Sequence, residues 1–294
     1  MNTNDLKIFE AVIKHYSFTK AAETMFTVQS NVTARIKNLE EEFGAPLFIR
    51  NARKITLTPA GEILSRYSKQ MIHLVEEARN EIQSADSLSG HLKIGCIETT
   101  MVLKVPDLLN RFADIHPGVD LEFKSAMRAD LIKDVLNYTL DAAFVPAPIS
   151  IAGLNSEPVS EDELIILAPT KTESLQAVQG QQAPVKIIVF DEGCVFRTRL
   201  ESWLSAHGII QYKPLVVNSL EGVVNFVEAG LGISLLPAEI IERYYSERNI
   251  KTFAIAEALG RMSTVLISRN NVAPTKALNE FINVFRAGLA SLAV

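Results

Sequence analysis

The chain has 294 residues, a net charge of −5 and 48% hydrophobic residues, enough for two domains or for a small one beside a larger split one. No apolar run reaches the ~18 residues of a membrane span, and the polar N-terminus passes at once into a helix pattern, which reads as no signal peptide. Two cysteines, Cys96 and Cys194, make no disulfide framework and fit a reducing cytosol, where the sequons at Asn31 and Asn137 are chance matches.

The elements begin with a helix over 4–15, in which Leu6, Phe9 and Ile13 share a face. Ser17 or Thr19 caps a second helix that runs to about Met25, and Phe26–Val28 is a turn. Small Ala21 and Ala22 let helices cross closely. A third helix over 29–42 turns Val32, Ile36 and Leu39 inward and stops near Gly44. Its other face carries Gln29, Ser30, Asn31, Thr33, Arg35 and Lys37: amides, hydroxyls and cations that suit base edges and phosphates better than a core. Ile49–Leu57 reads as a hairpin with Asn51-Ala52-Arg53-Lys54 at its tip, either a wing reaching a phosphate backbone or a solvated turn. Thr58-Pro59 then starts a long helix. Ala60, Leu64, Tyr67, Met71, Leu74, Ala78, Ile82 and Ala85 recur at nearly 3.5-residue spacing, the seam of a dimerisation helix or a stripe packed on the chain's own body.

A break at Ser87–Gly90 separates a second region of short apolar runs alternating with helices. Strands are expected at 92–97, 119–123, 142–145, 163–168, 186–190, 215–217, 233–236 and 264–268. Helices are expected at about 100–115, 130–138, 195–207, 220–229 and 274–292, with a polar surface helix or loop at 171–182. This alternation predicts open α/β sheets with helices on both faces. The strand at 163–168 would cross into a second lobe.

The motif Ser17-Phe18, Ala21-Ala22, Gln29-Ser30, Val32-Thr33, Ile36, Leu39-Glu40, Gly44, Leu47-Phe48, Arg50, Leu57-Thr58 and Ala60-Gly61 resembles the winged helix-turn-helix of the LysR-type transcriptional regulators. Weaker likeness continues in LKIG (92–95), Val119–Leu121 and VEAGLGISLLP (227–237). Val28 departs from the pattern: the family has Ser or Thr there to cap the recognition helix. The resemblance implies an α/β protein with an N-terminal all-α winged helix-turn-helix at 1–58 and a linker and dimerisation helix at 59–89. A periplasmic-binding-protein-like effector domain would follow at 90–294, with lobe I about 91–162 and 267–294 and lobe II about 163–266. It also implies a non-enzymatic, cytoplasmic DNA-binding regulator. Such a protein would bind an interrupted palindrome in double-stranded DNA as a dimer or tetramer, need no cofactor, and respond to a small-molecule effector.

The charge distribution fits that picture. Residues 1–60 carry a surplus of +2, residues 61–90 carry −2 and residues 91–294 carry −5. So weak a surplus implies that useful DNA affinity needs two copies or more. Gln29, Ser30, Asn31 and Thr33 are expected to read bases, with Ser17 and Thr19 beside them. Arg35, Lys37, Arg50, Arg53 and Lys54 are expected to hold phosphates.

Ligands of open α/β sheets sit at the carboxyl ends of strands. Two loops there, Cys96–Thr100 and Asp191–Arg197, lead into helices and offer N–H groups to an anion such as a carboxylate. The resemblance points to Thr99 and Thr100 as effector-binding residues, with Ser125 and Asn218 as weaker candidates. Arg197 is a bidentate cation for the ligand or the i,i+4 partner of Glu201. Glu98, Asp191 and Glu192 would oppose an anion. Cys194 at a helix start beside Arg197 would have a lowered pKa, giving a redox-sensor alternative, unless it is an inert buried thiol.

A solute-binding protein is a rival that residues 1–60 disfavour. An enzyme of small organic acids lacks its signatures: no nucleophile elbow, P-loop or His-Glu-x-x-His occurs, and the five histidines are scattered. Gly230-Leu231-Gly232 follows a helix, so it is not a dinucleotide fingerprint.

Overall fold

The computed structural model describes residues 1–51, 54–83, 88–179 and 184–290. They form two compact units, one of Met1–Gly90 with Asn137–Thr139, the other of His91–Leu136 with Leu140–Val294.

The first unit holds α1 (Thr3–His15), α2 (Phe18–Thr24), α3 (Gln29–Phe43), the hairpin β1 (Phe48–Asn51) and β2 (Lys54–Leu57), and α4 (Pro59–Gln83). Helix starts are set by local polar chemistry. Asn2 and Asp5 form a reciprocal capping box on α1, and the Ser17 hydroxyl accepts the Lys20 N–H at α2. Gly44 ends α3 with φ of 65°, the left-handed conformation that glycine takes without a Cβ clash. Leu6, Phe9, Val12, Ala21, Val32, Ile36, Leu39, Leu47 and Phe48 form the core. Glu40 closes its lower edge, because one carboxylate oxygen accepts the Leu47 N–H at 2.8 Å and the Phe48 N–H at 3.4 Å. The helix end is thereby tied to the first strand of the hairpin.

Thr58 starts α4 as a cap, donating to the Pro46 carbonyl at 2.6 Å and accepting the Gly61 N–H at 3.0 Å. Gly61 is required there, since a Cβ would lie 2.2 Å from the Leu47 carbonyl oxygen. The apolar seam expected along α4 divides in two. Ala60, Leu64 and Met71 pack inward on the first unit's core, whereas Tyr67, Leu74 and Ile82, together with Ile63, are exposed. Ala85 lies outside the described residues.

The second unit runs β3 (Gly90–Cys96), α5 (Glu98–Leu103), α6 (Val105–Ile115), β4 (Val119–Ser125), α7 (Arg128–Leu136), β5 (Ala142–Pro146) and β6 (Leu154–Pro169). It continues with α8 (Leu175–Gln179), β7 (Val185–Val189), α9 (Val195–Ala206), β8 (Tyr212–Val216), α10 (Leu220–Glu228) and β9 (Ser234–Pro237). Then come α11 (Ala238–Tyr244), β10 (Ile250–Ala254), α12 (Glu257–Gly260), β11 (Arg261–Arg269) and α13 (Lys276–Ala290). Strand β6 serves two lobes. Its first part, Leu154–Glu163, pairs with β11, which pairs with β5; its last part pairs with β9 and β10. Lobe I is the layer β4-β3-β5-β11-β6, and lobe II gathers β9 and β10 on the end of β6 with the parallel pair β7-β8. The return to lobe I falls at Arg261, where β11 begins opposite Glu163, and not at the expected 267.

Three differences from the sequence expectation have local causes. The strand expected at 163–168 begins at Leu154, because its first half alternates in burial and carries a bulge beside Pro158. The helix expected at 100–115 is two helices. Pro106 lacks the N–H that would bond the Val102 carbonyl, and the Tyr244 hydroxyl donates to that carbonyl instead at 3.2 Å. Strand β10 and helices α11 and α12 have no counterpart in the sequence expectation; β10 is short and mostly exposed.

Glu10 on α1 sits against α4, accepting hydrogen bonds from Ser68 and, at 3.1 Å, from Ser65. Burial pushes its carboxyl above the ordinary glutamate value, with the serines and Lys69 pulling back. A raised folded-state pKa makes its contribution complete below the ordinary value and lost as pH rises through the raised one. Glu10→Gln keeps an acceptor and never ionises. Circular-dichroism melting should show the variant more stable than the wild type at about pH 7.5, with the difference closing toward about pH 4.

Candidate nucleic-acid interface and effector cleft

The outer face of α3 holds two populations of polar residues. Gln29, Ser30 and Lys37 are exposed. The Thr19 hydroxyl donates to the Gln29 amide oxygen at 3.1 Å, which orients the amide and leaves its NH2 donors outward. Lys37 pairs with Glu41 at 3.4 Å, but its side chain is 73% exposed, and exposed i,i+4 pairs are worth only tenths of a kcal/mol. Thr33 is half-buried and bonds the Gln29 carbonyl one turn back at 3.0 Å.

Asn31 and Arg35 belong to the second population. The Asn31 amide donates to the Thr27 hydroxyl at 2.9 Å and accepts from Arg35 at 3.5 Å, and Arg35 pairs with Asp5 of α1 at 2.8 Å. Asp5 is buried, and the half-buried guanidinium of Arg35 is its counter-charge. The Asp5 pair competes with the phosphate role expected for Arg35. Ser17 likewise uses its hydroxyl as the cap of α2.

On the hairpin, Arg50 lies over the Phe18 ring at 4.7 Å and 3.5 Å from Glu40, half-exposed, while Lys54 is exposed. Arg53 lies outside the described residues. Val28 is the N-cap of α3 with no side-chain hydrogen bond, leaving the first N–H groups of that helix uncapped by a side chain.

The second unit contains a cleft of about 320 Å³ between its lobes. Lobe I supplies Ile97, Glu98, Thr99, Ser125–Arg128 and Pro146; lobe II supplies Phe190, Asp191, Gly193–Phe196 and Asn218. Of the residues expected at an effector site, Thr99, Ser125, Cys194 and Asn218 line this cleft. Thr100 is buried beside it without lining it. Helix α5 begins before both threonines and has Ile97 as its N-cap, so neither of them caps it. Arg197 is held by Glu201 at 2.9 Å and Glu192 at 3.8 Å, and does not line the cleft.

Sequence reasoning missed Arg128. Its guanidinium donates to the Pro146 carbonyl at 3.0 Å and the Pro148 carbonyl at 2.6 Å. Among the described residues no carboxylate pairs with it. The signal was available: Arg128 opens a helix just past the carboxyl end of β4, three residues beyond Ser125. Glu98 reaches from α5 to the start of α10, where its carboxylate accepts the Leu220 N–H at 3.2 Å.

The cysteines differ from the reactive expectation. Cys96 is fully buried and its thiol is pushed up to about 12. Burial also pushes the Cys194 thiol up; the Phe196 and Arg197 N–H groups pull the other way and the Glu98 charge adds to the rise. The lowered value expected from the helix start does not hold, because loss of water outweighs the dipole, and Arg197 already answers two carboxylates.

Residues 3–62 match the family described as bacterial regulatory helix-turn-helix protein, lysR family, and residues 85–290 match the LysR substrate binding domain. Similar proteins include the uncharacterized HTH-type transcriptional regulator YusT of Bacillus subtilis, 35% identical over 97% of this chain and 95% of the relative. The HTH-type transcriptional regulator GltR of the same organism is 35% identical over 97% of this chain and 96% of its own. Among solved structures, full-length CbnR complexed with its target DNA is similar with a TM-score of 0.69 and 19% identity, covering 98% of this chain and 99% of that one. A full-length OxyR variant from Pseudomonas aeruginosa gives 0.73 and 20%, covering 97% and 95%. These two likenesses show the fold. Among the described residues no helix is long and apolar enough to cross a membrane. The matches to both parts of the sequence show that the chain belongs to the LysR family: it is a DNA-binding transcriptional regulator that carries a substrate-binding domain.

Proposed function

We propose that Gln29 and Ser30 read base edges, with Thr33 beside them, while Lys37, Lys54, Arg50 and Arg53 hold phosphates on either side. The observation that supports this is the oriented Gln29 amide at the exposed start of α3. Donors facing outward suit purine N7 and the O6 or O4 acceptors in the major groove. Thr19 is a positioning residue for that amide.

Two copies would act together on an interrupted palindrome, in the cytoplasm with the chromosome. The exposed Ile63, Tyr67, Leu74 and Ile82 of α4 support pairing of two chains through this helix, since such a stripe is costly to leave in water. The effector is a compact carboxylate seated in the lobe cleft. Arg128 is its main contact, Ser125 and Thr99 assist from lobe I, and Asn218 with the start of α9 assists from lobe II. A ligand held by both lobes would bias their closure, and with it promoter occupancy. The cysteine-redox alternative is less favoured, because both thiols are shifted toward the neutral, unreactive form.

Two measurements test these assignments. In salt-dependent DNA binding, Lys37→Ala should lower the log–log slope by about 0.9 per chain, whereas Arg35→Ala should leave the slope unchanged and lower stability by about 1–3 kcal/mol, because Asp5 loses its partner. Gln29→Ala should flatten base preference by about 1–3 kcal/mol at one position. For the cleft, a thermal-shift screen of carboxylate metabolites finds ligands. Arg128→Met should weaken them roughly tenfold or more and leave DNA affinity without ligand unchanged.

A further inference from the structure

We propose that the ligand of this cleft is bipolar, a small molecule carrying both a carboxylate and an ammonium group, as an amino acid does. The inference rests on the reading of the cleft as the effector site. Three charged side chains line the cleft: Arg128, Glu98 and Asp191. Among the described residues none of the three has an ion-pair partner, and they do not pair with one another.

Their separation is built in. Arg128 is held on lobe I by the Pro146 and Pro148 carbonyls. Glu98 is held by the Leu220 N–H at the start of α10. The turn carrying Asp191 is fixed by the Cys194 N–H on its carbonyl at 3.2 Å and by Gly193 at φ of 88°. The nearby cation Arg197 is turned away to Glu201 and Glu192.

A cleft of about 320 Å³ brings any ligand charge close to all three side chains. A simple carboxylate would satisfy Arg128 but add a negative charge beside two existing ones, at a cost of roughly tenfold or more in affinity. A simple amine has the opposite defect at Arg128. A molecule with its carboxylate on Arg128 and its ammonium on Glu98 and Asp191 leaves no lining charge unanswered. The apolar lining of Ile97, Met127, Phe190 and Phe196 then receives its side chain.

The test is isothermal titration of the full-length protein with three panels: the protein-forming amino acids and short ω-amino acids, the same skeletons without the amine, and the same skeletons without the carboxylate. At least one amino acid should bind roughly tenfold or more tighter than its des-amino partner. The double variant Glu98→Gln, Asp191→Asn should erase that difference while binding the des-amino acid at least as well. The amide that replaces the Glu98 carboxylate keeps an acceptor for the Leu220 N–H, and the unliganded melting temperature of the variant checks the fold. Equal binding of amino and des-amino acids, or a preference that survives the double variant, overturns the bipolar class and leaves the effector site standing. Absence of binding by every compound overturns both.

Discussion

Strand β6 is the constraint on which the effector unit depends. Every backbone group of a buried strand needs a partner, and β6 changes partners partway along its 16 residues. Up to Glu163 it pairs with β11; from Leu164 it pairs with β9, and from Ile165 with β10. Burial changes at the same point, from alternating residues to six buried in succession. The chain can thus leave lobe I without an orphaned ladder, and the cleft exists because one strand holds both walls. A polar cluster marks the switch. Asp162 is half-buried, accepts from Thr264 at 3.1 Å and lies 3.6 Å from Lys104, which also reaches Glu239 of lobe II at 3.4 Å. Burial raises the Asp162 carboxyl while Lys104 and Thr264 hold it down. These polar contacts sit beside a continuous apolar core, in which Leu164–Ala168 of β6 join Leu131 and Val145 of lobe I to Ile187 and Leu235 of lobe II.

What the sequence disclosed follows from how strongly each segment is patterned. The helix-turn-helix was readable because three helices carry clear apolar faces with caps and a glycine stop at Gly44. The first half of β6 was not, because Asn155, Ser156, Glu157 and Ser160 resemble a loop, and only pairing with β11 makes them a strand. The break between α5 and α6 was signalled by Pro106 but outweighed by the apolar periodicity around it. Strand β10 has no pattern of its own: it adds to an edge of β6 and takes its form from that edge.

The interface shows a different limit. Residue type alone marks one polar face on α3, yet Asn31 and Arg35, of the same types as the exposed Gln29 and Lys37, are engaged by partners within the unit. What separates them is Asp5, 30 residues away in sequence, whose buried charge claims Arg35. No local pattern reports such a partner. The same holds for Arg197, claimed by Glu201, and in reverse for Arg128, which among the described residues has only carbonyl partners.

The cleft holds a cation with only carbonyl partners among the described residues and a thiol shifted toward its neutral form, which bears on the proposed trigger. The fold itself is indifferent to the signal, since function resides in the groups placed on it. A thiol trigger needs a thiolate within reach of an oxidant; Cys96 is buried, and the Cys194 thiol, though it lines the cleft, is pushed toward its neutral form by partial burial. A ligand trigger needs binding energy that depends on both lobes at once. Arg128 on one wall and Asp191 and Asn218 on the other meet that requirement, with Glu98 already reaching from lobe I to Leu220 of lobe II. Under the proposed reading, a molecule that engages Glu98 acts on a contact that already joins the lobes, and so links occupancy of the cleft to the start of α10.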